Sequence, residues 1–515
     1  MKNSRLILLA ALLAVSSSVM AGNTLSYTNK TTMAPRPVGV NLPMQMSGFN
    51  HFMSMEKPEK SGAEHISVQA TGFYQRSQKA SKLAKYFLFN NKSSVTLVRG
   101  DVKNPVDSTV DLDLGFLLHE SQAFVAGGPG AAVALIGTSG SIKLSPERSV
   151  YGLDLVYHYD LSKVFKNLSF MINAPVMDVQ HRPNLLVSSS TADVKSQLQG
   201  YLQGSFSKIP VNGIDNYERL NKALMSTSRT VGIADIDAQL NYQCINHSWI
   251  KASLGAAITL PTGNRPRGTY LFESICGNGR HVAVGGQGFL DINVYEHGPL
   301  AIAAHLNAQY RYLCEGLEYR TMGMAGRNFS QYHLLFKAGA ARASGTTIGT
   351  PLVPAANVLT LPTDITPGSR LDMTTSLEYS WRWLHGDIGY NLFYRQREGL
   401  KAPAVVDKSY GVAARRGVTN LGGTFPADPT TAAANFIDLA SGLTAPQSTL
   451  SAATLDTSVA RTPEQLTHGI FGSLNSIFNT HTHPLLMGLG GSYEWAHQNS
   501  SLDQWTLWIK TGITF

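Results

Sequence analysis

From Gln504 to the end of the chain, polar and apolar positions alternate without a break. Trp505, Leu507, Ile509, Thr511, Ile513 and Phe515 fall on one side, and Gln504, Thr506, Trp508, Lys510, Gly512 and Thr514 on the other. A period of two is the mark of a strand whose faces meet different surroundings. Leu485, Met487, Leu489, Gly491, Tyr493 and Trp495 repeat it. So do Leu371 to Trp383 against Asp372 to Arg382, and Ile302 to Tyr312 against Ala303 to Arg311. Similar windows recur near 66–75, 109–118, 150–161, 232–243, 247–260, 281–295, 331–339 and 386–396, with weaker ones near 85–98, 167–180 and 465–478. The pattern predicts an all-β chain of 12 clear and three weak strands. Because bacterial single-chain barrels use even numbers, about 14 strands is the central expectation, within a range of 12–16.

Alternation alone also suits a soluble sandwich, and three features favour a transmembrane antiparallel β-barrel. The windows run to ten residues or more, beyond the usual five or six of globular sheets and enough to cross a bilayer at a tilt. Aromatic pairs such as Tyr157 and Tyr159, Tyr310 and Tyr312, Trp381 and Trp383 gather at window ends, where amphipathic rings suit the headgroup level. The opposite face carries charge that a dry core would not accept without partners, and a wet lumen would. No helical span is predicted, because the apolar run from Ala123 to Ile136 is broken by Gly127, Gly128, Pro129 and Gly130.

Between the strands, segments 181–230, 340–369 and 397–464 are long and rich in Pro, Ser, Thr, Ala and Gly, and are expected as external loops. Short helices are expected within 192–206 and 216–228. At the start, Lys2 and Arg5 precede an apolar run from Leu6 to Val15, and Val19-Met20-Ala21 supplies small residues at a cleavage site before Gly22. This is the form of a secretory signal peptide over residues 1–21. Residues 22–63, with Pro35, Pro37 and Pro43, show no strand period and are expected as a plug inside the barrel or a flexible lead, and residues 64–515 as the barrel itself.

Charge changes this picture little. Only 15% of residues are charged and glycine reaches 47 of 515, a composition of strands and turns. Taking Lys2 and Arg5 from the formal +8 leaves +6, and no block of Lys or Arg provides the footprint of a nucleic-acid binder. The partners expected instead are outer-membrane lipids, lipopolysaccharide and a small-molecule permeant. Cys244, Cys276 and Cys314 match no metal or redox spacing. Two could pair in an oxidising compartment, or all three could be small buried residues.

The final strand, ending at Phe515, resembles the C-terminal signal read by the barrel-assembly machinery of the bacterial outer membrane, although Lys510 stands where a glycine is usual. A stretch of about 70 residues also resembles the outer-membrane transporters encoded with phenol-degradation pathways and, more distantly, long-chain fatty-acid transporters with an N-terminal plug. It is carried by Gly232-Ile233-Ala234-Asp235-Ile236-Asp237, Leu254-Gly255, Ile258-Thr259-Leu260-Pro261-Thr262-Gly263 and a Gly-rich strand ending in Asp291. The resemblance implies passage of small molecules, apolar ones among them, and carries no ligand-binding residue across.

Signatures of catalysis and cofactor binding are weak. Gly128-Pro129-Gly130 lacks the third glycine of a dinucleotide loop, and no Lys-Ser or Lys-Thr completes a phosphate loop. His481-Thr482-His483 offers two imidazoles without a third ligand nearby. His119-Glu120 lacks a partner His, and no GxSxG elbow occurs. Neither a cofactor, a metal nor an enzymatic activity is expected. The strand phases place Asp111, Asp113, Asp154, Asp235, Asp237, Asp291, Arg311, Lys337, Asp372, Glu378, Arg382, Asp387 and Arg395 on the inner face as pore-lining candidates. Acids exceed bases there, which predicts a mildly cation-preferring or mixed pore, with salt-bridged ladders that only hold the barrel's shape as the equal alternative. The expected function is passive passage of small molecules across the outer membrane after export to the periplasm. The alternative is a non-conducting surface barrel serving as adhesin or structural protein, with a barrel-embedded hydrolase third.

Overall fold

The computed structural model describes residues 26–38, 41–48, 65–98, 112–113, 139–162, 164–189, 192–205, 218–325, 328–337, 353–403, 406–412, 450–478 and 483–515. The expected signal peptide lies outside them. Twelve antiparallel strands form one closed ring. In chain order they are β1 (His65–Gln78), β2 (Glu147–Asp160), β3 (Leu168–Arg182), β4 (Ile236–His247), β5 (Ile250–Leu260) and β6 (Ala283–His297). β7 (Leu300–Leu313), β8 (Gly368–Trp381), β9 (Leu384–Arg395), β10 (Gln465–Phe478), β11 (Leu485–Ala496) and β12 (Asp503–Thr514) complete it. Each pairs with its chain neighbours, and β1 pairs with β12 from Ser67 opposite Thr514 to Gln78 opposite Asp503, which closes the seam.

Twelve is the low end of the expected range, and 14 is corrected by where three windows went. Residues 112–113 and Leu334–Lys337 do form strands, but in small sheets of the long connections, as does Ser94–Val98 behind a helix at Ala80–Phe87. Any strand with one packed face alternates, so period two could not separate these from the wall. One further strand, Ser228–Ile233, pairs with the upper half of β3 (Val176 opposite Ile233), whereas β4 pairs with the lower half (Asn173 opposite Asp237). The register slips by one residue at Ala234-Asp235, beside Pro175, whose carbonyl accepts from the Ala234 N–H. Pro175 has no N–H to give a ladder, which suits it to an irregularity of this kind. A helix occupies Ala192–Leu202 as expected, whereas 218–227 is irregular apart from a single bridge.

Distribution of polarity is the reverse of a soluble protein. Outward positions are apolar and open: Ile509 is 73% exposed, Ile388 70%, Leu254 65% and Leu489 61%. Inward positions are polar and closed, among them Gln69, Thr71, Asn307, Gln309, Thr374 and Asn475. In water such a surface would be costly; in lipid it removes apolar area from water and leaves the polar face to a lumen. Closure is required with it, since hydrocarbon satisfies no unpaired edge. Two aromatic bands flank the apolar zone. Tyr157, Tyr242, Tyr295, Trp381, Trp383 and Phe515 lie at the end with two-residue turns, and Tyr74, Tyr151, Trp505, Tyr310, Tyr312 and Tyr394 at the other. Tyr74 stacks on Tyr151 at 4.5 Å and meets Trp505 edge-on at 5.2 Å. Short turns at one end and long connections at the other set the periplasmic and external sides.

The external connections have a core of their own. Leu83, Tyr86, Phe87, Phe89, Ile142, Leu198, Leu202, Phe272, Phe329 and Tyr332 pack together in it. This cap joins Ala80–Phe87, Ala192–Leu202 and Ser330–Tyr332, so the conventional apolar core of this chain lies largely in its loops.

Candidate functional site in the barrel interior

The N-terminal segment links cap and lumen. Its first described residues lie among the external connections: Tyr27 donates its phenol to Glu464, its N–H reaches Asn499 Oδ1 at 2.8 Å, and Lys30 Nζ donates to the Ser458 carbonyl at 2.6 Å. From there the chain descends between the strands to α1 (Leu42–Met46), an all-buried helix whose N-cap Asn41 side chain accepts from the Met44 N–H. Proline suits the first turn of such a helix, where its missing N–H costs nothing. Pro35 and Pro37 bracket Arg36 and hold that stretch extended, since proline fixes its own φ and biases the residue before it away from helix.

Arg36 is the centre of the arrangement. Its guanidinium donates to Asp372 Oδ2 at 2.5 Å, Glu494 Oε1 at 2.6 Å and Asn391 Oδ1 at 2.8 Å, and lies 4.9 Å from the Phe393 ring centroid. It thereby bridges β8, β9 and β11. Lower down, Lys510 Nζ donates to the backbone carbonyls of Gln45 and Ser47 at 2.9 and 2.8 Å. The Gly48 N–H donates to Asp387 Oδ2 at 2.9 Å, and Asp387 also accepts from Ser473 and Asn475. Asp154 accepts from Asn173 at 2.8 Å and from Gln45 at 3.4 Å. Val38 and Met44 join an inner apolar cluster with Phe73, Val150, Met177, Phe471 and Trp508. Three of those rings lie against glycines of the next strand: a Cβ on Gly152 would meet Phe73 at 2.2 Å, one on Gly389 Phe471 at 2.5 Å, and one on Gly490 Trp508 at 2.5 Å.

Other candidates are tied to the wall. Arg311 reaches Asp237 through Nε at 3.2 Å and Nη2 at 2.7 Å, and Asp237 also takes Thr259 and Gln239. Arg395 donates to Glu398 at 2.6 Å and to the Ala34 carbonyl at 3.2 Å. Near the periplasmic end, His305 stands between Asp291 at 2.6 Å and Glu378 at 3.2 Å, while Ser380 and His385 lean on Glu378. That Ser, His and Glu set differs from a catalytic triad. Hydroxyl and carboxylate both converge on Nδ1 of His385, at 2.9 and 3.4 Å, whereas a nucleophile and an orienting acid must flank the ring from opposite nitrogens. Among the described residues no group of three or more His, Cys, Asp or Glu is placed to hold a metal ion.

Five candidates fall elsewhere. Asp111 is outside the described residues. Asp113 and Lys337 belong to strands of the external sheets, not to the ring. Arg382 sits in the periplasmic turn between β8 and β9 with φ of +56°, its guanidinium 5.2 Å from the Trp381 ring. It follows the strand in sequence, but the turn ends the alternation before it. Asp235 lies at the register slip, and its buried carboxylate accepts from the Gly263 and Asn278 N–H groups at 3.0 and 2.6 Å. Bulges re-aim side chains in this way, and here the acid fastens the 261–282 connection to the wall. The three cysteines are free thiols.

Three interior arginines escaped the sequence reading. Arg36 lies in a segment without strand period. Arg148 and Arg370 are buried on the inner face, one or two residues before the windows that begin at 150 and 371. For Arg370 the signal was present, since it shares the phase of Asp372.

A closed ring with an apolar belt, aromatic borders, a charged interior and a capped external end defines a bacterial outer-membrane β-barrel. No protein-family model and no curated protein matches the chain. Solved structures resemble it faintly. An outer-membrane channel from Pseudomonas putida F1 is 10% identical with a TM-score of 0.36, over 89% of this chain and all of that one. The transport unit of the autotransporter AIDA-I from Escherichia coli gives 8% and 0.28, over 94% and 99%. A FadL homologue from Pseudomonas aeruginosa gives 9% and 0.27, over 96% and 99%. The class therefore rests on this chain's own geometry.

Proposed function

We propose that this barrel is a channel passing small molecules by passive diffusion, and that residues 26–48 are a plug that must yield for the path to open. The manner in which the segment is held carries this reading. Its described residues add no strand to the ring, and inside the ring its side-chain and terminal ties are to groups that water can solvate equally well: Asp372, Glu494, Asp387, Asp154 and Lys510. The backbone bonds of Asn29, Lys30 and Thr31 go to Leu88, Tyr86 and Val459 of the external connections, outside the bore. Withdrawal would leave a wet, charged bore, not a row of orphaned ladder groups. In the opened bore Asp154, Asp237, Asp291, Arg311, Asp372, Glu378, Asp387 and Arg395 line the path, and the cluster around Phe73 and Trp508 offers apolar permeants a place to rest. The last strand, with Phe515 at the periplasmic end of the seam, is the segment proposed to meet the assembly machinery.

The test is current through planar bilayers from refolded full-length protein and from protein lacking residues 22–48. Conductance steps that appear or grow on truncation support a plugged channel. Silence from both, in barrels shown to be folded, overturns it and favours the second reading of a non-conducting surface barrel, for which the complete burial of α1 speaks.

A further inference from the structure

Above the Arg36 crossing, one cavity at the external mouth collects an unusual set of side chains. Arg36, Arg148, Arg320, Arg370 and Arg395 line it together with Glu273, Glu318 and Glu398, enclosing about 50 Å³ of space open to water-sized molecules. Three of the arginines are neutralised. Arg36 has Asp372 and Glu494, while Arg320 and Arg395 share Glu398, Arg320 also holding Glu318. Glu273 accepts from the Arg267 and Gly268 N–H groups.

Arg148 and Arg370 are different. Each is 3% exposed. Arg148 Nη1 reaches only the amide oxygens of Gln75 and Gln504, and Arg370 Nη1 only Asn278 Oδ1 at 2.6 Å. Arg148 Nε and Arg370 Nη2 are buried donors that find no acceptor among the described residues. The acids in their neighbourhood are already engaged: Asp237 by Arg311, Asp372 and Glu494 by Arg36, Asp235 by backbone N–H groups. Neither has an ion-pair partner in contact among the described residues, although Glu494 acts on Arg148 and Asp237, Asp372 and Asp235 act on Arg370 through space. Buried guanidinium donors left without an acceptor are costly, and two on one cavity are a reason to look for an anion. The remaining wall is apolar, with Met33, Val38, Met177, Ile275 and Leu313.

We propose that this cavity binds small organic monocarboxylates, whose oxygens accept from Arg370 and Arg148 and whose hydrocarbon part lies on the apolar wall. A carboxylate suits the planar guanidinium fork with two charged oxygens, whereas a neutral amide isostere offers one uncharged acceptor oxygen and meets the donors more weakly. The proposal deepens the channel reading, on which it rests for its physiological sense, by naming a permeant class held before passage.

The experiment is calorimetric titration of detergent-refolded full-length protein with benzoate, and with benzamide as the neutral counterpart. Expected is saturable benzoate binding, at least tenfold tighter than benzamide. Arg370→Gln and Arg148→Gln each weaken benzoate at least tenfold and benzamide far less, while Arg370→Lys retains part of the affinity. Heat-modifiable gel migration verifies folding, and should a Gln variant not fold, the fall of wild-type benzoate affinity with added salt, absent for benzamide, decides the matter. Equal binding of the two probes, absence of benzoate binding, or wild-type affinity in folded Arg370→Gln overturns the proposal. Binding without conductance would strike the channel reading alone, and conductance without binding this inference alone.

Discussion

Replacing Arg36 should unlatch the barrel. The side chain makes two short ionic hydrogen bonds, to Asp372 and Glu494, and a third bond to Asn391. Hydrogen bonds to charged groups contribute roughly 1.5–3 kcal/mol each when net effects are measured. Water can replace part of them once the segment leaves, so the low end of that range is the fair figure for each of the two ionic bonds, about 3 kcal/mol together. At 1.4 kcal/mol per decade this is roughly a hundredfold shift between docked and undocked segment. Single-channel recording of Arg36→Gln should therefore show the ratio of open to closed dwell rising about a hundredfold over wild type. Arg36→Lys, keeping the charge but not the fork, should fall between. Unchanged dwell times in folded Arg36→Gln, together with opening by truncation, would refute the idea that this guanidinium is the latch.

Lys510→Met removes the donor to Gln45 and Ser47 carbonyls and should raise the open fraction about tenfold in the same recordings, since an unpaired buried acceptor costs roughly 1–3 kcal/mol. Deleting residues 22–48 takes Arg36 away and uncovers Asp372 and Glu494, so reversal potentials in a salt gradient should move toward cation preference relative to any full-length openings. Ile509→Arg puts a charge on an outward position 73% exposed, and should lower folding stability in liposomes by about 2–4 kcal/mol if it lies near the bilayer midplane, read as a shifted urea midpoint. At the external tether, burial, with help from Arg397 and Arg461, depresses Lys30 from 10.5 to about 8 against Asp456. The undocked segment then binds more protons between those values, so docking strengthens as pH rises from about 8 toward 10.5 and weakens as it falls through 8. Open fraction should drop from pH 7.5 to 9.5 in the wild type and change less in Lys30→Met.

Wall strands were legible where one face meets lipid, because the chain there writes its surroundings in every second residue. β12, from Asp503 to Thr514, is the clearest case. β3 and β10 read weakly. Pro175, His181 and Arg182 blur the first, and two glycines and a histidine dilute the second. Asp154, Asp372 and Asp387 are buried on the polar phase of their strands, a phase that their own polarity helped to choose. Asp235 is placed differently, since a single extra residue at Ala234-Asp235 changes what a side chain faces. Arg36 was beyond reach for another reason. Its partners on β8, β9 and β11 are more than 330 residues away in the chain, and a Pro-flanked extended segment carries no period that could announce them.

The seam between β1 and β12 has a consequence for biogenesis. Ser26–Lys30 lies at the external mouth and His65 at the periplasmic rim, and the described residues up to Gly48 lie within a ring that is not closed until β1 and β12 pair. The ring's last zipper is laid down between residues more than 420 positions apart, and every anchor of Arg36 comes from the second half of the chain. A nascent polypeptide must therefore either keep its leading segment in place while the wall is drawn round it, or thread that segment through a finished hoop. Chain order makes the first route the natural one: the cargo is wrapped as the vessel closes.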